Sequence, residues 1–231
     1  MADLIVALDV PSKEEAARVI RAIGPAADFY KIGLELFCAE GPAVVDEVKR
    51  LGKRVFLDLK LHDIPRTVAR AVSSCARMGV DLLTLHSSGA KAMVEAAREA
   101  ADAAGASAPR LLAVTVLTSL DGDDLASLGI GRTPAEQVLA LGRLAYGAGA
   151  NGLVCSPREA ASLRAALGPD ALLVTPGIRP AGGALGDQKR VATPRDAVLA
   201  GATHLVVGRP IVEAPDPRAA AEAVVAEMAS I

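Results

Sequence analysis

The stretch FLDLKLHDIPRT, residues 56–67, places Asp58, Lys60 and Asp63 among apolar residues. An ammonium between carboxylates is equipment for charge-dependent chemistry. Along an extended strand, residues two apart point the same way, so Asp58 and Lys60 share one face while Leu57 and Leu59 share the other. If the leucines pack against helices, the charged pair faces the opposite side. Asp9 ends the apolar run LIVALD, and Lys31 lies inside FYKIG. Removing each such ion from water costs several kcal/mol, and pairing often only offsets that cost. A structural role would be served as well by Leu or Val. Alternating charges at the ends of core strands therefore point to function rather than to a self-satisfied ion-pair network.

The elements that must position these groups recur along the chain. Apolar runs stand at 4–9, 29–33, 55–60, 81–86, 111–117, 152–156, 171–178 and 204–209. Between them lie Ala-rich segments with helical spacing, such as Ala16, Val19, Ile20 and Ile23 on one face, or Val44, Val45, Val48 and Leu51 on another. Ser12-x-x-Glu15 has the form of a capping box. TPAE (133–136), SPRE (156–159) and TPRD (193–196) each set Ser or Thr as N-cap, Pro first in the helix and an acid third. Gly24, Gly52, Gly79, Gly105, Gly149, Gly168 and Gly201 follow helical segments, where a left-handed cap is wanted. Strand then helix, eight times, with strands apolar on both faces, predicts a parallel sheet covered by helices, closed as a (β/α)8 TIM barrel in a single α/β domain over residues 1–231. A doubly wound open sheet is the second choice, since no GxGxxG follows the first strand.

Composition narrows the partners. The chain has 231 residues, a formal net charge of -2, no Trp, two Tyr and three Phe, so a basic surface with interleaved aromatics for nucleic acid is not expected. No apolar run nears the ~20 residues that span a bilayer. The opening MADLIVALDV lacks the basic start of a signal peptide, and a cytoplasmic location is expected. Cys38, Cys75 and Cys155 are scattered, as reduced core thiols would be, and only Cys155, at a strand end, invites attention. His62, His86 and His204 read as structural or as lining, and no metal-ligand spacing includes them.

Taken together, DLKLHDIP (58–65), ALD (7–9), YKIGLELF (30–37), VTVLTSL (114–120), TPGIRP (175–180), GDQKR (186–190) and VVGRP (206–210) resemble the orotidine 5′-monophosphate decarboxylase family over essentially the whole chain. The resemblance implies removal of CO2 from C6 of a pyrimidine nucleotide with no metal and no organic cofactor. It implies that Lys60 protonates C6, that Asp58 lies against the departing carboxylate, that Lys31 holds both and reaches the ribose, and that Asp9 bonds the ribose. Asp63 and Thr67 would serve the neighbouring subunit of a homodimer with shared active sites, and Ile64 would contact the substrate. Thr118 and Ser119 would meet the base, while Arg179, Gln188, Gly208 and Arg209 would hold the phosphate, with the Gly-rich loop around Gln188 closing over it. Two rivals remain at this stage. One is a metal-dependent sugar-phosphate decarboxylase or aldolase of the same superfamily, which would need an acid where Lys31 stands. The other is a catalytically silent phosphosugar-binding barrel.

Overall fold

The structure, a computed structural model, describes residues 2–180 and 192–230. Its strands are β1 (Asp3–Ala7), β2 (Phe29–Ile32), β3 (Arg54–Leu61), β4 (Leu82–His86), β5 (Arg110–Val114), β6 (Gly152–Val154), β7 (Leu172–Thr175) and β8 (His204–Val207). They pair in chain order and close with β1 against β8, parallel throughout. All eight expected runs contain a strand. The strands stop short of the C-terminal ends of several runs: Val116, Cys155 and Ile178 are buried, yet lie beyond the last ladder residues of β5, β6 and β7. Apolar content marks burial, and here buried loops continue the strands toward one end of the barrel.

Alternation sorts the strand side chains into two layers. Ile5, Ala7, Phe29, Phe56, Leu112 and Val206 pack with one another inside the barrel. Leu4, Val6, Tyr30, Leu57, Leu83 and Leu111 belong to the larger layer under the helices. A parallel sheet covered on both faces needs both sets, which is why its strands read as continuous apolar runs.

The helix Lys13–Ile23 buries Ala16, Val19, Ile20 and Ile23, the predicted face. Its expected capping box is only half made. Ser12 accepts the Glu15 N–H at 3.3 Å, but the Glu15 carboxylate turns to Arg18 at 2.6 Å, a charged partner that outcompetes the return bond. Thr133 with Glu136 and Ser156 with Glu159 close full boxes, and Thr193 accepts the Asp196 N–H. Each such cap contributes roughly 1 kcal/mol. The seven predicted cap glycines all have positive φ. Cys38 departs from the expected core placement: the helix Leu34–Glu40 buries only Leu36, which leaves Cys38 on the outer face.

Candidate active site at the C-terminal ends of the strands

Four charges from three neighbouring strands converge at one mouth of the barrel. Lys31, on the inward face of β2 two residues beyond Phe29, brings its Nζ to 3.2 Å from Asp9 Oδ1 and 3.8 Å from Asp58 Oδ2. Lys60 Nζ donates to both Asp58 oxygens at 2.9 Å. The order Asp9, Lys31, Asp58, Lys60 alternates in sign. The Lys31 and Asp58 side chains are each only 13% exposed, so the attraction acts through little water. At 4 Å and an effective dielectric near 20, a unit pair interacts by ~4 kcal/mol, enough to hold these groups in register.

Lys60 does not reach the mouth by simple alternation. β3 pairs Leu57 with Leu83 and then Leu61 with Leu85, so Asp58, Leu59 and Lys60 bulge against the single β4 residue Thr84. Lys60 takes a left-handed φ of 51°. That conformation costs a non-glycine residue about 1–2 kcal/mol. The bend is pinned by the Lys60 N–H, which donates to Thr84 Oγ1 at 2.8 Å, while Thr84 donates to Asp58 Oδ1 at 3.0 Å. Leu57 is buried and Leu59 packs on the same outer layer, as expected.

A cavity of about 190 Å³ opens beside this quartet. Lys31, Asp58 and Lys60 form its charged side; Val114, Val154 and Cys155 contribute to its apolar wall, and Thr118 stands at its edge. An adjoining recess of about 380 Å³ shares Lys31 and adds Asp9, Arg179, Gly208 and Arg209. Gly208 caps the short helix Arg209–Val212, and a Cβ built there would lie 3.4 Å from Asp9 Oδ2 and from Ala7 Cβ. The pairing of a small apolar chamber with a recess lined by Arg179 and Arg209, beside Asp9 and Glu213, suits a ligand with a flat ring at one end and an anion that the arginines can turn to at the other.

Other predicted residues sit elsewhere. Asp63, Ile64 and Thr67 are exposed around the start of the helix Pro65–Arg77, and Asp63 Oδ1 accepts the Ile64 N–H at 2.7 Å. None of the three lines either recess. Ser119 is exposed and likewise outside both. Gln188 and its loop lie outside the described residues. Two contributors carried no sequence signal: Thr84, one hydroxyl in an apolar strand, and Gly33, where a Cβ would lie 2.9 Å from Lys31 Nζ.

Cys155 and His86 are ill suited to the chemistry. Burial pushes the Cys155 thiol far above its ordinary value, so it stays protonated and a poor nucleophile. Burial, then the nearby His62 and Lys60, lower the pKa of His86, which keeps the ring neutral at pH 7. A further cavity of about 630 Å³ lies at the opposite, N-terminal end of the strands. Most of its charges are paired locally, with Arg54 bonded to Asp3 and Asp28 at 3.1 Å and Lys49 to Asp81 at 3.3 Å. In barrels of this kind that end serves stability.

A closed, parallel, eight-stranded barrel with ionisable groups gathered where its strands end is a TIM barrel of the enzyme-bearing type. The chain belongs to the orotidine 5′-phosphate decarboxylase / HUMPS family, whose model it matches over residues 2–224. It is 55% identical over 223 residues to orotidine 5′-phosphate decarboxylase of Anaeromyxobacter sp. (strain K), covering 96% of each chain. The corresponding protein of Moorella thermoacetica is 51% identical, with 97% of this chain and 91% of the relative covered. The solved structure of orotidine 5′-phosphate decarboxylase from Lactobacillus acidophilus superposes with a TM-score of 0.90 at 40% identity, covering 100% of both chains.

Proposed function

We propose that this chain decarboxylates orotidine 5′-monophosphate to UMP, a step of de novo pyrimidine biosynthesis, with neither metal nor organic cofactor. The observation that carries this reading is the Asp9–Lys31–Asp58–Lys60 quartet beside an apolar chamber. Breaking the bond from C6 to the carboxylate leaves an electron pair in the plane of the ring, where no π-system delocalises it. A fixed ammonium is the group that can stabilise such a charge and then neutralise it. Lys60 is assigned both tasks: it faces the developing carbanion, donates its proton to C6 and is reprotonated from solvent. Asp58, held at fixed distance from Lys60, lies against the substrate carboxylate, and their repulsion is relieved as CO2 leaves. Lys31 ties Asp58 to Asp9 and, with Asp9, faces the ribose. Arg179, Gly208 and Arg209, with Gln188, are assigned the phosphate, and Thr118 with Ser119 the base.

Asp63, Ile64 and Thr67 are assigned to the active site of a second copy in a homodimer. Their exposure, outside this chain's own recesses, supports that assignment, as does the 65% exposure of the large apolar Ile64. A cytoplasmic location and a single barrel domain are part of the same proposal. Among the described residues no helix is long and apolar enough to cross a membrane. The metal-dependent rival is disfavoured by Lys31, whose ammonium lies between the two carboxylates that a cation would need. The silent-barrel rival has no need of the intact quartet.

The test is to follow the absorbance of orotidine monophosphate with purified, EDTA-treated protein. Loss of the orotate chromophore at a rate unaffected by EDTA is expected. No loss, or loss that requires added Mg2+, would overturn the reading.

A further inference from the structure

We propose that Thr84 is a positioning residue for this site: its hydroxyl sets the bend that delivers Lys60 and, through the same oxygen, fixes the Asp58 carboxylate. The proposal rests on the decarboxylase reading above. Thr84 follows Leu82 on the inward face of β4 and is completely buried. The β3 bulge leaves it as the only β4 residue between the pairs Leu57–Leu83 and Leu61–Leu85, opposite Asp58, Leu59 and Lys60. Its oxygen accepts the Lys60 N–H at 2.8 Å, in place of a ladder carbonyl, and its one proton goes to Asp58 Oδ1 at 3.0 Å. The hydroxyl's donor and an acceptor site are therefore used together, on the two residues that must meet the reacting carbon.

The geometry makes the hydroxyl hard to replace. Lys60 sits at φ 51°, a conformation a lysine keeps only if the surroundings hold it. Without the Thr84 oxygen, the Lys60 N–H loses the acceptor that pins the bend. Asp58 Oδ1 is then left to Lys60 Nζ, while Oδ2 faces Lys60 and Lys31. The carboxylate can then rotate toward the lysines, and both groups leave the register that faces substrate. The β-branch contributes too, since it restricts χ1 and so aims the hydroxyl. Serine at this position would keep both bonds with looser aim, and valine would keep the shape without either bond.

The experiment compares Thr84→Val, Thr84→Ser and Thr84→Ala with the wild type, measuring kcat and KM for orotidine monophosphate and UMP affinity by titration calorimetry. A displacement of reacting groups by about 1 Å can cost about 100-fold, so Thr84→Val is expected to lose at least about tenfold in kcat while UMP affinity stays within about threefold. Thr84→Ser is expected to recover most of kcat. Should Val fold poorly, the Ser and Ala pair carries the same comparison, with Ser well above Ala in kcat. A Val variant with wild-type kcat would overturn the proposal, as would a Ser variant no better than Val or Ala. Equal loss of kcat and UMP affinity in Val would overturn it as well, because it would mark general damage to the pocket. A wild-type protein inert toward orotidine monophosphate would reject the decarboxylase reading itself, and the positioning role with it.

Discussion

Gly33 leaves open the space that the Lys31 ammonium borders: a Cβ on Gly33 would lie 2.9 Å from Lys31 Nζ. The lysine reaches Asp9 at 3.2 Å and Asp58 at 3.8 Å from that position. A side chain on Gly33 pushes the head of Lys31 away from one or both carboxylates, at little cost to the barrel, because the displaced group is the end of a flexible side chain.

Gly33→Ala is therefore expected to fold with a melting temperature close to wild type and to lose roughly tenfold or more in kcat/KM, as misplacement of a group that organises the site would cause. Steady-state kinetics beside a thermal melt checks this. Unchanged kinetics would show that Lys31 tolerates displacement.

Much of the fold was legible because the strands of a covered parallel sheet must be apolar on both faces, and the intervening caps use a small vocabulary of Ser, Thr, Pro and Gly. The charges of β1, β2 and β3 were legible for the converse reason, since ions are costly in such strands. How Lys60 arrives was not. Two-residue alternation places it correctly only by coincidence with a bulge, and the bulge depends on Thr84 across the ladder. Strand boundaries were blurred where buried loops such as those of Val116 and Ile178 are as apolar as strands. The assignment of Asp63 and Thr67 to a neighbouring subunit came from resemblance alone, because spacing along β3 would have put Asp63 in the same pocket as Asp58 and Lys60.

That division predicts complementation. Lys60→Ala and Asp63→Ala homodimers are each expected to be nearly inactive. Under subunit exchange, one of the two sites in a hybrid dimer receives Lys60 and Asp63 intact, so activity should return toward a level set by the hybrid fraction. Exchange confirmed by mass-tagged subunits without recovery would rule out the shared site.

Stability should depend on pH through the two inner histidines. Burial holds His204 and His86 below the ordinary histidine pKa, against the opposing pull of Asp3 at His204. The unfolded chain then binds more protons than the folded one once the pH drops below the unfolded value of about 6.5. The contribution is complete above that value and is lost as the pH falls through it toward the folded values. Chemical denaturation between about pH 7 and 5.5 should show falling stability, with a shallower slope in the His86→Asn/His204→Asn double variant. An equal slope in both proteins would place the acid sensitivity elsewhere.

Lys60, held against Asp58 at 2.9 Å, is assigned the proton transfer itself rather than mere binding of the nucleotide. The direct measurement is turnover of orotidine monophosphate by Lys60→Ala, with UMP affinity measured on the same preparation. Loss of a positioned general acid typically costs 10²–10⁴-fold, so turnover should fall by about a thousandfold or more while UMP still binds. Near-normal turnover in Lys60→Ala would mean that the proton reaches C6 from another group.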